Sequence, residues 1–259
     1  MCIRRAGKCA KYLPRAMSLA ALVVACAGIT LAQHALPLVT GQVQINSAAE
    51  QDQEKSGRST ADLSNVVVWL SPLDHSVNAP ETAEEPNPSP QLVQHNKTFI
   101  PHVLVVQVGT VVEFPNHDPF FHNIFSLFDG KRFDLGLYES GTTRTVRFDR
   151  PGVSFLFCNI HAEMSAVVVA VETRYFGMSD RLGHLAIGRV PDGSYQMHVW
   201  YERSSPDELK GLSQRVLVSE SMRSLGNIRV IENPNFTTAH KNKYGQDYVP
   251  PPRSNYVHP

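Results

Sequence analysis

An all-β chain made of two successive sandwiches is what this sequence predicts, on three observations. Short runs rich in Val, Ile, Phe and Thr recur along it, Pro, Gly and Asp separate them, and helical periodicity is weak throughout. The first runs are Val66-Val-Val-Trp-Leu70, Val103-Leu-Val-Val-Gln-Val108, Val111-Val-Glu-Phe114 and Thr142 to Phe148. Val153-Ser-Phe-Leu-Phe157 and Ala166-Val-Val-Val-Ala-Val171 follow, and then, after a transition near Thr173, His184–Val190, Ser194–Trp200, Arg215–Val218 and Gly226–Ile231. Asp180-Arg-Leu-Gly183 and Pro191-Asp-Gly193 supply turns in the second set, which reads as the second, smaller sandwich.

The ends differ in character. Arg4, Arg5, Lys8, Lys11 and Arg15 precede an uncharged apolar stretch, Ala16 to Ala32, of about 17 residues, near the lower limit for a spanning helix. A basic start followed by a short apolar run predicts an export signal over residues 1–32, and hence a periplasmic or otherwise exported protein. Two cleavage readings stand: after Thr30-Leu-Ala32, or at the lipoprotein-like box Val23-Val-Ala-Cys26, which would lipidate Cys26 and tether the chain to a membrane. Residues 33–92 hold N-terminal strands and a Pro- and acid-rich linker, Asp74 to Pro90, with almost nothing to bury. The strand-bearing regions are 93–172 and 173–232, and 233–259 is a polar tail expected to be disordered or laid over the surface. Formal net charge is zero and no Lys/Arg run follows residue 32, so nucleic acid is not an expected partner.

Chemistry concentrates in one short loop. Cys158-Asn-Ile-His161-Ala-Glu-Met164 joins two apolar runs, and His122-Asn123 opens another run upstream. One thiolate, two imidazoles and one thioether are the donor set of a type 1 copper centre, with Cys and two His roughly trigonal and Met as a weak axial ligand. Each residue alone would be ordinary core or surface; the spacing Cys-x2-His-x2-Met on one loop gathers them. Of four cysteines, Cys2, Cys9 and Cys26 lie in the first twenty-six residues, so cleavage after Ala32 leaves Cys158 without a disulfide partner. In an oxidising compartment a lone thiol survives if buried or metallated. His117 is an upstream competitor for the first ligand, disfavoured by its Pro-Asn-His-Asp-Pro turn. Phe120, Phe121, Phe125 and Phe157 are expected around the site.

Enzyme readings find less support. His-x-His pairs, which a multicopper oxidase needs, do not occur, a dinuclear electron-transfer copper site needs a second loop cysteine, and no phosphate loop, nucleophile elbow or zinc-protease helix is present.

Residues from about Lys97 to Val171 resemble a cupredoxin: Phe99-Ile-Pro-His102, Val108-Gly-Thr-Val-Val-Glu-Phe114, Phe114-Pro-Asn-His-Asp118, His122-Asn123, Arg150-Pro-Gly152 and the ligand loop follow the order of plastocyanin and amicyanin. The span from Gly41 to about Glu202 is similar to exported plastocyanin-like proteins labelled methylamine utilization proteins, through Phe114-Pro-Asn, Lys131-Arg-Phe133, Leu137-Tyr138, Cys158-Asn-Ile-His161, Tyr175-Phe176 and Val199-Trp200. That resemblance implies a Greek-key cupredoxin sandwich, a second sandwich of the carboxypeptidase-regulatory or transthyretin-like kind, and one type 1 copper held by His122, Cys158, His161 and Met164. It further implies that the side chain of Asn123 ties the two ligand-bearing segments together. Single electrons would pass between redox partner proteins, with no catalysis; the alternative is a periplasmic copper carrier or an interaction module. Relatives often carry an aromatic before the Met, where Glu163 stands here.

Overall fold

The computed structural model describes residues 38–46, 62–74, 89–127 and 129–248. The export signal with Cys26, most of the Pro- and acid-rich linker and residues 249–259 lie outside them. Sixteen strands and one short helix are found among the described residues, an all-β architecture as the sequence predicts.

The strand most informative about the packing is β11 (Ser165–Val171). Its sequence, SAVVVAV, is apolar without alternation, which is what burial on both faces demands. Ala166, Val168 and Ala170 face one core, with Phe114, Ile124, Tyr138, Phe148 and Leu156. Val167, Val169 and Val171 face the other way, against Val67, Val103 and Trp200. Burying a Val fully is worth about 1.5–3 kcal/mol, so neither face of β11 could be left to water cheaply.

Five strands make the sheet that contains β11. In order they are β5 (Val103–Gln107), β11, β10 (Gly152–Phe157), β7 (His122–Ser126) and β8 (Phe133–Tyr138). The opposing layer is the hairpin of β3 (Val93–His95) with β4 (Thr98–Ile100), and the pair of β6 (Val111–Pro115) with β9 (Thr143–Arg147). Parallel bridges Gln91–Glu113 and Gln94–Asn116 join the hairpin side to β6.

The second group draws on both ends of the described chain. β1 (Val39–Asn46) runs parallel to β16 (Ser224–Ile231) and antiparallel to β13 (His184–Ile187). β2 (Val67–Pro72) lies between β12 (Phe176–Met178) and β14 (Gly193–Trp200), and β15 (Gln214–Val218) pairs with β14. Val43, Val68, Leu70, Tyr175, Leu185, Tyr195 and Val230 share one core. The N-terminal strands, whose partner the sequence left open, therefore complete the C-terminal sheets. Strand periodicity shows which face is buried but not which edge a strand joins. The helix α1 (Pro206–Gly211) is too short for a periodic signal; Ser205 caps it, accepting from the N–H of Glu208 at 3.3 Å.

One polar contact bridges the two groups. His102, between β4 and β5, places Nε2 2.6 Å from Glu202 Oε2, just past β14, and Nδ1 3.2 Å from the Ser165 carbonyl. Its pKa is raised, chiefly by the hydrogen bond to Glu202, against the opposing effect of burial. A histidine whose folded pKa exceeds its unfolded value stabilises fully below about pH 6.5 and loses that contribution as pH rises through the folded value. Melting temperature should thus fall more steeply between about pH 6 and 8 in the wild type than in His102→Ala. Parallel curves for the two proteins would remove the pair from the stability account.

Candidate metal centre

Three of the four sequence-predicted ligands converge. His122 opens β7, every residue of which is buried; Cys158 follows directly on β10; His161 lies on the loop leading to β11. The loop is closed by its own backbone: Cys158 donates its N–H to the Met164 carbonyl and Met164 its N–H to the His161 carbonyl, both at 3.1 Å. Cys158 Sγ stands 3.8 Å from His122 Nδ1 and 3.5 Å from His161 Nδ1, and the three donor atoms lie within 4.8 Å of one another. Metal–sulfur and metal–nitrogen bonds of about 2.3 and 2.0 Å at 120° put their donor atoms about 3.7 Å apart. The two sulfur–nitrogen separations match that figure, so each imidazole can share an ion with the sulfur. Met164 is fully buried in the same core as Cys158 and Tyr138.

The surroundings prepare each donor. Burial pushes the Cys158 thiol pKa up, and backbone N–H groups of Asn123, Ile160 and His161 directed at the sulfur oppose that by favouring the thiolate. Burial and the neighbouring His122 hold His161 below its usual value, which keeps the imidazole neutral and its lone pair available. His122 Nε2 donates to Asp118 Oδ2 at 2.8 Å, since a carboxylate can only accept, and this leaves Nδ1 as the nitrogen that faces the sulfur.

Asp118 is the residue sequence reasoning missed. It is 2% exposed, and also accepts the N–H groups of Asn96 at 2.6 Å and Lys97 at 2.9 Å from the turn between β3 and β4. Burial works against its charge, but these bonds and the His122 imidazole outweigh it and hold the carboxyl below the ordinary range. The only hint in the sequence was Asp-x3-His. His117, the competitor, is exposed, its N–H donating to the Gln94 carbonyl on the hairpin.

Two expectations are revised by side-chain direction. Asn123 follows an inward-facing His122 on a strand and so points to the opposite face. There its Nδ2 donates to Asp134 Oδ1 on β8 at 2.7 Å rather than reaching the ligand loop, and its Oδ1 is buried without a hydrogen-bond partner. Among the four phenylalanines, Phe120 touches both site histidines, ring centroids 5.2 Å from His122 and 5.6 Å from His161. Phe125 and Phe157 instead pair with each other at 5.9 Å, and Phe121 is 54% exposed.

The tail is laid over the surface as far as it is described. Tyr248 Oη donates to the Cys158 carbonyl at 2.6 Å, and the His240 ring lies on Phe157 with centroids 4.2 Å apart.

No family model and no curated protein matches the chain. Among solved structures it is similar to a purple cupredoxin from Nitrosopumilus maritimus, at 24% identity over 32% of this chain and 99% of that one, with a TM-score of 0.29. It is similar also to a copper-containing nitrite reductase from Thermus scotoductus, at 26% identity over 39% of this chain and 27% of that one, with a TM-score of 0.33. A reduced Cu(I) amicyanin mutant is matched at 18% identity over 34% of this chain and 88% of that one, with a TM-score of 0.31.

Proposed function

We propose that the chain is an exported electron carrier holding one type 1 copper on His122, Cys158 and His161, with Met164 as the weak axial ligand. The observation that carries this reading is the Cys158 sulfur, buried, faced by two imidazole nitrogens at 3.5 and 3.8 Å and by three backbone N–H groups. Copper in such a set would supply a one-electron couple, since thiolate and thioether suit Cu(I) and imidazole suits both oxidation states.

The chain's residues supply rigidity. His122 is held by Asp118, and the loop bearing Cys158 and His161 is closed by its own backbone bonds between two paired strands. Donors held in place need little rearrangement when an electron arrives or leaves. His161, only partly buried, brings the site nearest to solvent and is the place where a redox partner would make electronic contact. The basic and then apolar N-terminus supports export, by either cleavage reading. The likeness to plastocyanin-like proteins with a transthyretin-like segment belongs to the same proposal.

Cycling tests the reading. The copper-loaded protein should keep its ion through repeated reduction with ascorbate and reoxidation with ferricyanide, even beside a moderate Cu(I) chelator, and the visible band should return each time. Rapid handover of the reduced ion, with the colour lost for good, would show a copper carrier instead.

A further inference from the structure

We propose that residues 240–248 form a clasp that fixes the Cys158–Met164 loop, with Tyr248 as a positioning residue acting on Cys158 through its main-chain carbonyl; the copper arm of this proposal rests on the function proposed above.

Three consecutive residues at the start of the loop are each engaged. The His240 ring covers Phe157, Tyr248 Oη donates to the Cys158 carbonyl at 2.6 Å, and the Lys243 N–H donates to Asn159 Oδ1 at 3.0 Å. The clasp is braced internally: the Tyr248 ring meets His240 edge-on at 5.3 Å, and Asn242 Oδ1 accepts the N–H groups of Tyr244 and Gln246 at 2.9 and 3.0 Å. It also reaches the other ligand-bearing segment. Lys243 Nζ bonds Asp134 Oδ2 at 2.7 Å, and Asp134 Oδ1 accepts from Asn123, the neighbour of His122, at 2.7 Å.

A tie between the two ligand segments therefore exists, but it runs from Asn123 through Asp134 and Lys243 to Asn159 instead of through one asparagine. Such an arrangement acts where the backbone bonds within the loop do not, on the outward-facing carbonyl of the cysteine itself. Loops open locally with free energies set by the contacts they make, so each removed contact raises the open population directly.

Tyr248→Phe keeps the ring and its edge-on packing on His240 and removes the hydroxyl, with its bond to the Cys158 carbonyl and its 3.3 Å contact with His240 Nδ1. In the metal-free protein, amide hydrogen exchange over Asn159–Met164 should quicken on the order of 3- to 10-fold, the effect of losing the hydroxyl's bonds, while the melting temperature falls by only about 2–4 °C. In the copper-loaded protein, loss of Cu(I) to a chelator should quicken by a similar factor. Leu182→Ala, at a residue 68% exposed and outside the clasp, should change neither. Unchanged exchange in Tyr248→Phe would overturn the clasp, and so would equal acceleration at every amide, which would mark a general stabilising role. If the wild type takes up no copper, the proposed function fails, and the metal-free exchange still decides whether the clasp exists.

Discussion

Replacing Cys158 with alanine abolishes the intense thiolate-to-copper absorption expected of the loaded wild-type protein, while the protein remains folded. Cys158 is the free cysteine among the described residues, and the other sulfur of the proposed set, in Met164, is a thioether that cannot become a thiolate. No neighbouring side chain can therefore stand in. The fold should tolerate the change: the deleted group is about the size of one methylene, and such losses in a core cost about 1 kcal/mol. Met164→Leu is the informative companion, since a volume-conserving swap costs under about 1.5 kcal/mol and removes only the weak axial donor. Absorption spectra of the two variants check both statements, with the band lost in the first and kept in the second. A band that survives in Cys158→Ala would assign the ligand wrongly and take the proposed function with it.

Parts of this protein were legible because the chemistry lies close together in the chain. Cys158, His161 and Met164 share one short loop between apolar runs, so spacing alone puts these residues at one end of two strands. The strand from Ser165 to Val171 was legible as deeply buried because its apolar run does not alternate. The facing of Phe125 and Phe157 was readable in principle: counting alternately from His122, Ile124 points inward and Phe125 outward, and Phe157 is the residue paired with Phe125 across the strands. Asp118 was a different matter. Its effect on His122 depends on the turn at Asn96 and Lys97, about twenty residues away, which supplies the two N–H groups that keep the carboxylate charged in a buried place. Nothing local in Pro-Asn-His-Asp-Pro states that. The same is true of the tail, where a single tyrosine and a single histidine in a polar stretch carry the contacts and no period announces them. The partners of β1 and β2 were hidden because alternation marks a face and leaves the neighbouring strand unspecified.

Asp118→Ala should cost the site about 10- to 100-fold in copper affinity, the usual effect of removing the group that orients a ligating histidine. The carboxylate fixes the His122 tautomer by accepting from Nε2, and without it the ring can protonate Nδ1 or turn away, so that the donor facing Cys158 is lost for part of the time. Stability should fall as well. Asn96, Lys97 and His122 would each be left with a donor lacking its partner, at about 1–3 kcal/mol for any that stays buried. Asp118→Asn separates the two effects. Oδ2 alone accepts from both Lys97 and His122, so an amide oxygen in its place keeps those two bonds while the NH2 group, in place of Oδ1, opposes the Asn96 N–H; the variant should recover most of the affinity and only part of the stability. His117→Ala is the control, since that side chain is exposed and the bond that His117 makes to Gln94 comes from its backbone. Competition titrations for Cu(II), together with melting curves of the metal-free proteins, measure the two quantities separately. Wild-type affinity in Asp118→Ala would show that His122 is held by its strand alone, whereas an effect in His117→Ala as large as that of Asp118→Ala would move the first ligand upstream.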